Sequence, residues 1–83
     1  MKITLKLYAS LASCLPAEAV KNEAELMVKS GVSVREVLDT YNVPFDRCHL
    51  ILINGVFSPP ATAKQAVLSE GDALAVWPPV AGG

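Results

Sequence analysis

Ala73-Leu74-Ala75-Val76-Trp77-Pro78-Pro79-Val80-Ala81-Gly82-Gly83 closes the chain. It reads as a strand, a stiff double proline, and a tail that thins to two residues without side chains. In the strand, Leu74 and Val76 share one face, and Ala75 and Trp77 share the other. Pro78 and Pro79 donate no backbone N–H, so a central ladder cannot run through them. Two prolines in a row favour the extended polyproline II form. The four residues beyond them, Val80, Ala81, Gly82 and Gly83, span roughly 13 Å when extended. Glycine lacks a Cβ and gives the slimmest main chain available. Residues 78–83 are therefore expected to form a flexible, protruding tail whose terminal carboxylate enters a narrow site on another protein.

The preceding segments say what carries this tail. Lys2 to Tyr8 alternates, with Ile3, Leu5 and Leu7 on one face and Thr4, Lys6 and Tyr8 on the other, as in a half-buried strand. Leu11 and Leu15 lie four apart in a short helical turn over Ala9 to Leu15, which Pro16 stops. Ala17 to Glu23 is expected as loop. Glu25 to Lys29 alternates again, with Leu26 and Val28 inward. Ser33 and Glu36 have capping-box spacing, and Val32 and Val37 are placed as a hydrophobic staple. Val34, Val37, Leu38 and Tyr41 then follow along one face of a two-turn helix, with Arg35, Glu36 and Asp39 on the wet side. Asn42 and Pro44 end it.

Phe45 to Cys48 is a connection. Leu50-Ile51-Leu52-Ile53 is continuously apolar and is expected as a strand buried on both faces. Asn54-Gly55 is a strong hairpin signal, Val56-Phe57 starts the return, and Ser58-Pro59-Pro60 ends it. Ala61 to Leu68 reads as an irregular crossover with one helical turn, and Ser69 to Asp72 as a turn. Two opening strands, a crossing helix and further strands predict an α+β fold: a mixed four- to five-stranded sheet with one main helix packed on one face. That is the β-grasp, or ubiquitin-like, arrangement, here as a single domain over residues 1–83.

Composition narrows the functional classes. The chain has 83 residues, 52% hydrophobic and 18% charged, with net charge −1, which is a folded domain with no basic footprint for nucleic acid. No apolar run reaches the roughly 20 residues of a membrane span. Leu11 to Pro16 is too short and too interrupted upstream for a signal peptide. Cys14 and Cys48 fit no metal or redox spacing and are expected as reduced thiols in a cytoplasmic protein. His49, the only histidine, and Lys64 are expected as ordinary structural or surface residues. No phosphate-cradling glycine loop and no nucleophile–base pair is present, so no catalytic residue, metal ligand or bound cofactor is expected of the chain itself.

The run from Gly71-Asp72 through Trp77-Pro78-Pro79-Val80-Ala81 to Gly82-Gly83 resembles the C-terminus of the MoaD/ThiS family of ubiquitin-like sulfur carriers. The resemblance extends over the opening strand, the helix and the Asn54-Gly55 region. Pro78-Pro79-Val80 before the diglycine is closer to MoaD, the small subunit of molybdopterin synthase, than to ThiS. Leu11 to Leu15 stands where MoaD proteins commonly carry an Arg-Glu-Leu-like segment. The resemblance implies that a ubiquitin-activating-type adenylating enzyme of the MoeB/ThiF kind spends ATP to adenylate Gly83. Sulfur then replaces AMP to leave a thiocarboxylate. The sulfur passes to an acceptor subunit such as the MoaE-like large subunit of molybdopterin synthase, in molybdopterin or tungstopterin synthesis. A free α-carboxyl is ionised at neutral pH, which makes it a nucleophile for phosphorus and a poor acyl donor until activated.

Alternation and the expected strand order place Tyr8 beside Trp77 on the uncovered sheet face at the foot of the tail, with Phe57 joining them. Large aromatics there form a partner-binding patch, to which Pro78 and Pro79 are also assigned. Two other readings keep the same fold. A pathway-specific carrier of the ThiS kind, or a modifier joined to lysines through Gly83, shares the tail and its activation. An interaction domain would carry the diglycine incidentally.

Overall fold

The computed structural model describes residues 1–79. Val80, Ala81, Gly82 and Gly83, which the sequence reading assigns to the tail, lie outside the described residues. Strands β1 (Lys2–Leu7), β2 (Glu23–Met27), β3 (Leu50–Ile53), β4 (Val56–Phe57) and β5 (Ala73–Trp77) form one five-stranded sheet in the order β2-β1-β5-β3-β4. Helices α1 (Val34–Thr40) and α2 (Pro60–Ala63) complete the regular elements, with 3-10 turns at Ala9–Cys14 and Phe45–Arg47. First and last strands are parallel neighbours at the centre, and the other pairings are antiparallel. This is the mixed sheet of the ubiquitin-like β-grasp.

Strand periodicity decides which face is core. Ile3, Leu5 and Leu7 of β1, Leu74 and Val76 of β5, and Ile51 of β3 are buried together against Val34, Val37 and Leu38 of α1. Among the described residues the opposite face of the sheet carries no helix. α1 begins where its sequence says: Ser33 Oγ accepts from Glu36 N at 3.1 Å, and Glu36 Oε1 accepts from Ser33 N at 3.0 Å. Both halves of the capping box are made, satisfying two amide donors that a helix start leaves without partners. Asn42 ends the helix in the left-handed region at φ 59°, which asparagine tolerates better than most side chains.

Asn54 and Gly55, at φ 52° and 80°, form the tight β3–β4 connection; both central residues of such a turn need positive φ. Asn54 does more than turn. Its Nδ2 donates to Asp72 Oδ1 at 2.9 Å and its Oδ1 accepts from Ala73 N at 2.9 Å, tying the hairpin to the start of β5.

Several expectations need correction. β2 starts at Glu23, two residues before the expected Glu25, and ends at Met27. The inward parity is as read, but Ala24 and Leu26 are the buried pair, because the Lys2↔Met27 to Lys6↔Glu23 register carries pairing back over Glu23. β3 is not buried on both faces: only Ile51 is fully buried, and Leu50, Leu52 and Ile53 are half-buried. Its flank is a two-residue strand and one of its faces is uncovered. The connection after Pro44 is a 3-10 turn, and α2 starts at Pro60 itself. Proline is suited to the first helical turn, where its missing N–H has no partner to lose.

Candidate functional site

The uncovered face has its largest apolar features at the end of β5. Lys6 lies opposite Ala75 and Leu7 opposite Val76 in the parallel β1–β5 register. Tyr8 continues this pairing by donating its N–H to Val76 O at 3.2 Å. Tyr8 and Trp77 therefore leave the sheet on the same side, and their rings stack with centroids 4.3 Å apart and planes 4° from parallel. Both are half-buried. Trp77 is also held from its other flank, where His49 N donates to Trp77 O at 2.9 Å. Immediately after Tyr8 the chain turns at Ala9, whose φ of 53° is left-handed. That conformation is uncommon for a residue with a Cβ, and it separates β1 from the following 3-10 turn.

Cross-strand partners share a face, so Leu50 opposite Trp77, Leu52 opposite Ala75, and Phe57 opposite Leu52 extend the patch across β3 to β4. Phe57 is 55% exposed. It lies on the expected face but does not join the stack: β3 stands between it and Trp77, and Tyr8–Trp77 is the ring pair among the described residues. A second correction concerns the prolines. Pro79 is exposed, whereas Pro78 is buried. Pro78 thus seats the root of the tail and offers no surface to a partner. Sequence reasoning missed Leu50 and Leu52, which were assigned to a doubly buried strand; their pairing with the open-face residues of β5 is visible only in the register.

Electrostatics at this face are mild. Lys6 and Glu23 are paired at 3.9 Å across β1 and β2. Among the described residues no cluster of three or more His, Cys, Asp or Glu is placed to hold a metal ion, and no helix is long and apolar enough to cross a membrane. His49 serves through its backbone. Cys14 and Cys48 are free thiols. Burial, then the nearby Asp46 carboxylate and Cys14, push the Cys48 thiol up to about 11, which is the wrong direction for a nucleophile.

The strand order and the single covered face of the sheet define a ubiquitin-like β-grasp domain. The model of the ThiS family matches residues 6–83, and the chain belongs to that family. No curated protein is significantly similar in sequence. Among solved structures, SAMP1 from Haloferax volcanii is 26% identical, with a TM-score of 0.69 and full coverage of both chains. The Haloferax volcanii HVO 2177 protein is 25% identical, with a TM-score of 0.75 over 100% of this chain and 87% of that one. A protein assigned as molybdopterin converting factor subunit 1 from Pyrococcus furiosus is 20% identical, with a TM-score of 0.64 over 95% of this chain and 98% of that one; it shares the fold.

Proposed function

We propose that this chain is a non-catalytic sulfur carrier acting through Gly83. The observation that carries the reading is the exit of β5. The central strand ends at a stacked Tyr8–Trp77 pair, Pro78 is seated in the body, and the sequence runs straight on to the diglycine. In this reading a partner adenylating enzyme binds the open face around Tyr8, Trp77, Leu50 and Leu52. The Gly83 carboxylate attacks the α-phosphorus of ATP, and pyrophosphate leaves. The acyl-adenylate is then an activated acyl donor: sulfide sulfur adds to the Gly83 carbonyl carbon, AMP leaves with the C–O electron pair, and a thiocarboxylate remains. The same face next docks an acceptor subunit, of the kind found in molybdopterin synthase, to which the sulfur is delivered. The Pro78-Pro79-Val80 approach to the diglycine favours that pathway.

A second reading is favoured by one observation. A solved relative, small archaeal modifier protein 1 of Haloferax volcanii, covers 98% of its own chain in the match and is 26% identical. In that reading the same adenylate is captured by a lysine amine and an isopeptide bond forms. Intact mass after incubation with the activating enzyme, ATP and sulfide separates the two. A mass gain of one sulfur for one oxygen, absent when Gly83 is deleted, is the expected result. An adenylate that never exchanges for sulfur, with conjugates that survive reducing agents in lysate, transfers the assignment to the modifier. Failure to form even an adenylate with several activating enzymes overturns both.

A further inference from the structure

β2 is an edge strand, and its outer side is set up to take another strand. Its pairing with β1 alternates in the antiparallel manner. Val28 exchanges both backbone hydrogen bonds with Met1, at 2.8 Å and 2.6 Å, and Leu7 N donates to Asn22 O at 3.0 Å. With the Lys2↔Met27 register, the backbone groups of Leu26 and Ala24 also face β1. Those of Glu23, Glu25 and Met27 face outward. Glu23 is covered, because it exchanges backbone hydrogen bonds with Val20. Glu25 and Met27 have no second backbone partner among the described residues, and Met27 is 75% exposed.

The two sides of this edge differ in chemistry. Toward α1 lies a groove of about 270 Å³ lined by Val28, Val32, Val37 and Tyr41 and also by Thr40 and the Lys29–Glu36 ion pair. Toward the open face lies a concavity of about 350 Å³ bordered by Glu18, Glu23 and Glu25. Glu23 reaches Lys6 at 3.9 Å; Glu18 and Glu25 have no ion-pair partner among the described residues. An added strand sends alternate side chains to the two sides. One set would meet the valines and Tyr41 of the α1 groove, whose two charges already pair with each other, and the other would meet carboxylates.

We infer that the free edge of β2 is a second docking surface, which takes an extended partner segment of alternating basic and apolar residues by strand addition. Backbone hydrogen bonds at Glu25 and Met27 hold the segment, the α1 groove takes its apolar side chains, and Glu18 and Glu25 select its Lys or Arg residues. A second copy of this chain is the wrong occupant: antiparallel pairing of two β2 edges centred on their free residue Glu25 sets that carboxylate against its own counterpart, and like charges facing each other oppose pairing. The surface is separate from the Tyr8–Trp77 patch, from which β1 divides it, so its use is independent of the proposed sulfur chemistry.

The test is titration of the isotopically labelled full chain with a capped synthetic peptide alternating lysine and valine, read by amide chemical shifts and amide exchange. The expected result is a shift and slowed exchange at Glu25 and Met27, with movement of the Val32 and Val37 methyls. A glutamate–valine peptide should bind at least roughly tenfold more weakly, and the lysine–valine peptide with alternate nitrogens methylated should not bind. The exposed double variant Glu18→Gln/Glu25→Gln should weaken the lysine–valine peptide roughly fivefold, an amount expected of rim ion pairs. Deleting Gly82 and Gly83 should change nothing. No response at Glu25 and Met27 at millimolar peptide overturns the inference and leaves the carboxylates as guards of a bare edge. Equal binding of the acidic peptide, retained binding of the methylated one, shifts confined to the Tyr8–Trp77 face, or self-association through β2 would each overturn it too.

Discussion

Tyr8 and Trp77 show how much two side chains can decide. The parallel β1–β5 register brings them to one point, and a near-parallel stack at 4.3 Å couples them. Stacked aromatic pairs are worth about 0.5–1.5 kcal/mol beyond their burial. A double-mutant cycle of Tyr8→Ala and Trp77→Ala in urea unfolding should therefore return a coupling of about 1 kcal/mol, and Tyr8→Phe should keep most of it. Each alanine variant should bind the activating enzyme with a loss of about 2 kcal/mol or more while remaining folded, as expected of anchors in a binding patch. Cys48 behaves oppositely, as core. Its raised value in the folded state, against 9.0 when unperturbed, means that folding favours the protonated thiol. The associated stability is present below about pH 9 and is lost as pH rises through about 11. Cys48→Ala should flatten that alkaline decline. At neutral pH, iodoacetamide should modify half-buried Cys14 well before buried Cys48.

Helix α1 is short, so its start matters. Seven residues make few intrahelical bonds, and the capping box supplies two of the missing partners. Ser33→Ala should lower unfolding stability by about 1 kcal/mol in chemical denaturation. Glu36 is held below the usual carboxylate range, first by the Ser33 backbone N–H and then by Lys29, whose Nζ lies 3.0 Å from Oε2. A depressed carboxyl adds stability above its unfolded value of 4.5, and that contribution disappears as pH falls through the folded value. Replacing it, in Glu36→Gln, should flatten the decline of stability as pH falls below about 4.5. The β3–β4 hairpin illustrates a different economy. Asn54 supplies both the turn conformation and the side-chain bonds that clamp Asp72 and Ala73, so one residue joins local geometry to the central strand.

The full fold rests on pairing its two ends. β1 and β5 are parallel, adjacent and central, so loss of β5 removes the middle of the sheet rather than an edge. A chain truncated before Ala73 should be unfolded by circular dichroism. A chain lacking only Gly82 and Gly83 should melt at the same temperature as the intact protein and fail to gain sulfur. That contrast separates the part of the C-terminus that holds the structure from the part assigned to chemistry. Closing contacts between opposite ends of a chain is entropically slow, and the parallel pair is accordingly expected to form late.

Much of this was legible in the residues. Strict alternation in Lys2 to Tyr8 and Ala73 to Trp77, the Ser33–Glu36 spacing and Asn54-Gly55 are local signals, because side-chain period, capping and positive φ depend on a few neighbouring residues. They carried the α+β sheet-and-helix arrangement, the core face and the nearness of Tyr8 to Trp77. What lay beyond local reach depended on register and on what covers each face. Only pairing could show that β2 begins at Glu23, that Leu50 and Leu52 belong to the open face, and that Phe57 is separated from the stack by β3. Only packing could bury Pro78 while leaving Pro79 exposed, and only the order of strands could leave β2 with a free edge between the α1 groove and three carboxylates. Burial and edge status belong to how segments meet, and a segment's own sequence holds no record of its neighbours.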